Sequence, residues 1–326
     1  MITITNLRKR FGPLVALDNI SLELGPGELF GFIGPNGAGK STTMKILAGL
    51  MRQDSGDARV CGLDPRKDAD RVKRSLGYMP DFIGVYDDLT VDEYLQFFAA
   101  AFGIAARNGK RRSVIDSVLQ LTDLTEKRHA MVDSLSRGMT QRLGVARVLL
   151  HEPRVLLLDE PASGLDPRAR IELREILLTL RQMGKTLMVS SHILAELGEM
   201  STSIGIIEKG KMVYAGSLRD ALQKAGVGDR VCVALEGEAG AGGGGVSDAE
   251  AQRVALVLER DTRVARVGVE GRQLTIDLVK ADGGGASSHH FLLQALMESG
   301  ARVESFTPRT VKLEDAFLRL TKGVVN

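Results

Sequence analysis

A chain of 326 residues with 44% hydrophobic and 26% charged residues is long enough for a main domain plus a smaller one, and its composition excludes disorder, collagen and a simple coiled coil. A formal net charge of +2, no Trp and four Tyr provide neither the basic surface nor the stacking rings of a nucleic-acid binder. Two cysteines, Cys61 and Cys232, make no disulfide framework or metal quartet and fit a reducing compartment; with no apolar leader core in Met1–Gly12 and no apolar run near the ~20 residues of a membrane span, the sequence predicts a soluble cytosolic protein.

From Met1 to about Ala225, short apolar runs alternate with longer helical patterns, which predicts α/β with a largely parallel sheet. Leu29–Ile33 is a continuous apolar run of the kind a sheet covers on both faces. It leads into Gly34-Pro35-Asn36-Gly37-Ala38-Gly39-Lys40-Ser41-Thr42, and a helix is predicted over Thr43–Leu50. Here G-x-x-x-x-G-K-[ST] stands between strand and helix, where it makes a phosphate loop. Glycines let successive backbone N–H groups curl around phosphate oxygens, and the helix N-terminus adds dipole and free donors. Lys40 brings charge to the β- and γ-phosphates, and the Ser41 hydroxyl can ligate Mg²⁺.

Thr90-Val91-Asp92-Glu93 is a capping box that opens a helix with Leu95, Phe98, Ala99 and Phe102 on one face. Arg107, Lys110, Arg111 and Arg112 follow and read as a solvated loop between helices, with an anionic docking patch as the alternative. Ser136 reads as the N-cap of a helix running to Leu150. A second buried strand, Val155–Leu158, ends in Asp159-Glu160-Pro161. Two carboxylates at the end of a buried strand repel each other and lose solvation unless cations or hydrogen bonds compensate. Beside a phosphate loop this assigns Asp159 to the metal and Glu160 to the attacking water, rather than to a strand-end cap. Asp166-Pro167 reads as an N-cap with proline at the first helical position. Thr186–Val189 is a third buried strand, followed closely by His192, and Ile204–Glu208 with Met212–Ala215 flank Lys209-Gly210-Lys211 as a hairpin.

Composition then shifts. Gly237–Gly245 holds six glycines and Gly283–Gly285 is a second cluster, both read as loops. Around them a strand (Arg230–Leu235), a helix (Asp248–Arg260), two strands (Arg263–Glu270, Gln273–Val279), a helix (Phe291–Ser299) and a strand (Arg302–Thr307) follow the order of a split βαβ unit. The boundary falls near Ala225–Asp229, giving domains 1–225 and 229–322.

Taken together, the motifs resemble the ATP-binding subunits of ABC transporters. Leu135-Ser136-Arg137-Gly138-Met139 with Thr140-Gln141-Arg142 resembles the signature motif, Ser163-Gly164-Leu165-Asp166 the D-loop, His192 the switch histidine, and Phe11 the ring that stacks on adenine. The resemblance implies a P-loop ABC ATPase core with a helical subdomain over about 85–150. It implies ATP and Mg²⁺ as cofactors, the ion held by Ser41, Asp159 and, by position, Asp81. It further implies a head-to-tail homodimer or heterodimer in which Ser136 and Gly138 close the partner's nucleotide in trans. The chain would power a separate multi-helix membrane permease from the inner face of the membrane, with no nucleic-acid partner.

Three residues depart from the family pattern. Asp81 stands where the family usually has Gln, so it can ligate Mg²⁺ but cannot donate an amide hydrogen bond. Arg137 replaces a glycine and Met139 a glutamine. Arg137 is read as facing solvent, with a place near the partner's phosphates as the alternative. The C-terminal unit, about Asp229–Lys322 and ending in Thr307–Gly323 with Leu313-Glu314-Asp315-Ala316-Phe317-Leu318, resembles the accessory domain of exporter-type subunits of the drug and antibiotic resistance branch. That domain either regulates dimer and permease or only stabilises the fold. Two other readings stay open: a soluble ABC ATPase acting on nucleic acid, and a nucleotide switch without hydrolysis.

Overall fold

The computed structural model describes residues 1–326 apart from 85, 87, 194–196, 199, 219, 221–229, 237–247, 280–288 and 310–326. The glycine run Gly237–Gly245, the cluster Gly283–Gly285, the boundary Ala225–Asp229 and most of Thr307–Gly323 therefore lie outside the described residues. The chain divides into two units, Met1–Leu218 and Arg219–Asn326.

In the first unit, β1 (Ile2–Phe11), β2 (Leu14–Leu24) and β4 (Ser55–Val60) form an antiparallel sheet in the order β2-β1-β4. A second sheet has the order β5-β6-β7-β3-β8-β9, from β3 (Leu29–Ile33), β5 (Leu76–Met79), β6 (Val155–Leu158), β7 (Thr186–Ser191), β8 (Ser203–Glu208) and β9 (Lys211–Ser217). Its strands run parallel except β9, which closes a hairpin on β8. Every residue of β3, β6 and β7 is buried, which is why β3, β6 and the Leu187–Val189 part of β7 read as apolar runs.

The register decides function. Ile33 lies opposite Ser191, and Leu158 opposite Val189. The loops after β3, β6 and β7 therefore emerge side by side at the carboxyl edge of a parallel sheet, where such folds place their ligands.

Helices α1 (Lys40–Leu47), α2 (Ala69–Ser75), α3 (Val91–Ala101), α4 (Lys110–Leu121), α5 (Arg137–Leu149) and α6 (Pro167–Gln182) complete the unit. The capping box at Thr90 and Glu93 is present, and α3, α4 and α5 pack on one another. On α3 the apolar face buries Leu95 and Ala99 but leaves Phe102 42% exposed. The basic cluster differs from its reading as a loop. Lys110, Arg111 and Arg112 form the first turn of α4, because Gly109 turns the chain at φ 70° and the Arg111 guanidinium donates to Ile104 O at 2.8 and 2.9 Å. The first helix also starts earlier than predicted, at Lys40 itself.

The second unit contains β10 (Arg230–Leu235), α7 (Asp248–Leu258), β11 (Val264–Glu270), β12 (Gln273–Leu278), α8 (His290–Glu298) and β13 (Val303–Arg309). The antiparallel order β11-β12-β10-β13 is that of a split βαβ sheet. Alternate residues Val231, Val233, Leu235, Leu274, Ile276 and Leu278 bury one face against Ala251, Val254, Leu258, Leu292 and Leu296.

Candidate functional site

The loop between β3 and α1 is held by its glycines. A Cβ at Gly34 would stand 2.3 Å from Ile207 O, and one at Gly39, whose φ is +113°, would stand 2.6 Å from Leu17 Cδ2 and 2.8 Å from Ala16 O. Ala38 is buried and its carbonyl accepts from Gly210 N–H, which fixes the loop to the β8–β9 turn, while Pro35, Asn36 and Gly37 face outward. No side chain caps α1, and the amides of Lys40, Ser41 and Thr42 have no acceptor among the described residues. Free amides at a helix N-terminus make an anion site.

Lys40 is 5% exposed. Its ammonium donates to Gly34 O at 2.5 Å and Pro35 O at 3.3 Å, and it pairs with Glu160 Oε1 at 3.1 Å. Glu160 Oε2 lies 2.8 Å from His192 Nδ1. The structure therefore brings the phosphate-loop lysine, the second acid and the histidine into one chain of contacts, buried at Lys40 and Glu160 and exposed at His192.

Asp159 and Glu160 share a partner that sequence reasoning passed over. Ser190, fully buried on β7, donates its hydroxyl to Asp159 Oδ1 at 2.7 Å and accepts the Glu160 N–H at 2.8 Å. Glu160 adopts φ +49°, a left-handed conformation that costs a non-glycine residue of order 1–3 kcal/mol. The Ser190 bond and the Ser163 N–H, which donates to Glu160 O at 3.0 Å, hold that turn. The sequence signal was a pair of serines, Ser190 and Ser191, ending a buried strand, and only the pairing of β6 with β7 tells what Ser190 faces.

Asp81 lies exposed just past β5. Partial burial and the carboxylates of Asp159 and Glu160 hold its pKa above the usual aspartate value, against the opposing charges of Arg137 and His192. The Tyr78 phenol is pushed up to about 12 by burial and by Asp159 and Asp81. These carboxylates crowd without forming a cage: no group of three His, Cys, Asp or Glu side chains is arranged to hold a metal among the described residues.

Phe11, 45% exposed, ends β1 opposite Leu14, with Lys9 Nζ 5.5 Å from its ring centre. It belongs to the hairpin whose second strand abuts Gly39 through Ala16 and Leu17. Ser136 caps α5 by accepting the Met139 N–H at 3.3 Å, and Gly138 lets that helix approach α6, since a Cβ there would meet Ala169 Cβ at 2.7 Å. Neither residue is hydrogen-bonded to the phosphate loop among the described residues; both stand at the start of α5. Asp166 caps α6 through the N–H groups of Arg168 and Ala169, with Pro167 as its first residue.

Known proteins resemble this chain in sequence and in fold. A family profile described as ABC transporter matches residues 17–163. The linearmycin resistance ATP-binding protein LnrL of Bacillus subtilis (strain 168) is 35% identical over 231 residues, covering 71% of this chain and 73% of that protein. A Nod factor export ATP-binding protein I of Burkholderia thailandensis is 37% identical over 217 residues, covering 67% and 71%. A solved structure of an ATP binding subunit of an ABC transporter superposes with a TM-score of 0.61 at 28% identity, covering 69% of this chain and 92% of that one.

Proposed function

Since the chain belongs to the ATP-binding proteins of ABC transporters and is an ATPase of that family, we propose that it hydrolyses Mg²⁺-ATP between two paired subunits and drives a separate multi-helix permease, as an exporter. The resistance and export functions named for its relatives support the direction of transport and favour this reading over one on nucleic acid.

The observation that carries the chemistry is the chain of contacts from buried Lys40 through buried Glu160 to the solvent-exposed His192, beside free helix amides. Phosphate oxygens take the amides of Gly37 and of Gly39–Thr42 and compete with Gly34 O, Pro35 O and Glu160 for the Lys40 ammonium. Once Lys40 turns to phosphate, Glu160 Oε1 is released to accept a hydrogen bond from the attacking water, while His192 keeps Oε2 in place. The Ser41 hydroxyl and the Asp159 carboxylate are the hard oxygen donors a Mg²⁺ ion requires, and the ion, when bound, neutralises phosphate charge. Asp81, whose carboxylate lies in the field of Asp159, would supply a further oxygen donor to the same cation. Phe11 supplies the face for adenine, and Ser136 with Gly138 offer the α5 N-terminus to the nucleotide of the paired subunit.

Among the described residues no helix is long and apolar enough to cross a membrane; in this reading the permease docks on the aromatic groove beside α3. Tyr86, Tyr94, Phe97 and Phe98 form one aromatic cluster with centroids 4.9 to 6.5 Å apart, Phe97 meeting Tyr86 and Phe98 edge to face and the other pairs tilted. Next to them a groove of about 280 Å³ is lined by Leu50, Tyr78, Phe102, Arg147 and His151. An apolar, aromatic groove suits a short helix of the permease, and Tyr78 belongs both to it and to the field of Asp159. Residues 229–322 form the accessory α+β domain of this reading.

Glu160→Gln tests the assignment. The variant is expected to bind ATP, accumulate as a dimer and release no phosphate in steady state; turnover at the wild-type rate would reject Glu160 as the group that activates water.

A further inference from the structure

We propose that Arg137 is a positioning residue: it locks the Ser136–Gly138 segment onto the Ser163–Asp166 turn of its own chain, and so joins that segment to Glu160. The guanidinium lies over Gly164, where a Cβ would stand 2.4 Å from Cζ, 2.5 Å from Nη1 and 2.7 Å from Nη2. Near-equal separations from three atoms of one plane mean that the plane's face, not its edge, meets the glycine. Gly164 itself has φ +66°, so a side chain there would be strained and would also occupy the guanidinium's seat.

The two segments touch again beneath this contact. Gly138 packs on Ala169, and buried Arg142 on α5 reaches Glu172 on α6 at 3.6 Å. Beyond Gly164, the Ser163 N–H donates to Glu160 O at 3.0 Å, and Asp166 caps α6. Contacts thus run without a gap from Arg137 through Gly164 and Ser163 to the acid. Arg137 is exposed, as its solvent-facing reading expected, and among the described residues has no hydrogen bond or ion pair, so contact of one face of its plane with Gly164 is what seats it, while its charge still bears on Asp81.

This inference rests on the reading of hydrolysis between paired subunits. There the Ser136–Gly138 segment closes the partner's nucleotide while Glu160 serves its own, and Arg137 joins the two functions within one chain. The two sites of the pair should then turn over in concert.

The test uses the intact chain with Arg137→Gly, Gly164→Ala, both together, and Arg137→Lys. Steady-state hydrolysis, Mg²⁺-ATP affinity by calorimetry and melting without nucleotide are measured for each. Each single variant is expected to lower kcat about tenfold and to bring the Hill coefficient toward one, with affinity moving less than about twofold. Backbone strain from alanine at 164 is the same with or without Arg137 and cancels in the cycle, so the double variant is no slower than the slower single. Arg137→Lys has no plane to lay on the glycine and should behave as Arg137→Gly. Additive losses in the double variant, or Arg137→Gly with wild-type kcat and Hill coefficient, would overturn the proposal. A wild-type chain without hydrolysis overturns the parent reading instead; the contact is then judged by the melting cycle, where additive shifts reject it.

Discussion

The two units of this chain bury polar groups in opposite ways. The first buries Lys40, Asp64, Gln141, Arg142, Asp159, Glu160 and Ser190, and it contains every described non-glycine residue with a left-handed φ, Glu160 among them. The second, among its described residues, buries Asp277 alone, paired with Arg230 at 2.7 Å, and packs otherwise by alternating apolar residues. Buried charge and backbone strain both oppose folding, so they persist where the surrounding contacts over-determine them and chemistry needs them. That contrast makes the first unit the place where single polar substitutions change activity, and the second the place where apolar ones change stability.

The contrast is broken most directly by exchanging the roles. Leu274→Ala, at a fully buried position of β12, should cost about 2–5 kcal/mol in melting of the second unit while Mg²⁺-ATP affinity in calorimetry stays within about twofold. Lys40→Ala should do the reverse, weakening Mg²⁺-ATP about 100-fold with the second unit melting as before. Should Leu274→Ala abolish nucleotide binding, the division of labour is wrong.

A finer test concerns the bridge on β7. Ser190→Ala leaves the buried Asp159 carboxylate and the Glu160 N–H without their shared hydroxyl, so kcat should fall about tenfold with KM little changed. A wild-type rate for this variant would show that the turn at Glu160 holds its shape without Ser190.

The smallest effect is one that both units share. Asp64 is held from 3.8 down to about 2 chiefly by hydrogen bonds from Arg66, and Asp261 in the same way by Arg263, whose guanidinium also lies 3.8 Å from the Phe291 ring centre. Each carboxylate is more acidic folded than unfolded, so its contribution is complete above 3.8 and disappears as pH falls through about 2. Melting of Asp64→Asn should therefore fall below wild type at neutral pH and converge with it in strong acid. The Asp261 pair, with Arg263 59% exposed, should show a smaller difference that salt erodes.

How far the site could be read depended on whether its parts are adjacent in the chain. The phosphate loop was legible because strand, glycines, lysine and helix are contiguous, and each residue type answers a local demand of backbone or phosphate. Asp159-Glu160 was legible for a related reason: two acids at the end of an apolar run announce an unpaid desolvation cost. Arg111 was misread as loop because the carbonyl of Ile104, which anchors it as a helix begins, carries no mark in sequence.

By itself the sequence determined the α/β class, the strands that bury both faces, the nucleotide chemistry and the order of the second unit's elements, since all of these follow from periodicity and from runs of neighbouring residues. Only the tertiary structure decided that Ser190 bridges the two acids, that Glu160 spans from Lys40 to His192, and that Arg137 lies on Gly164. Those contacts join residues from different strands and helices, and their existence depends on sheet register and helix packing, which no local pattern encodes.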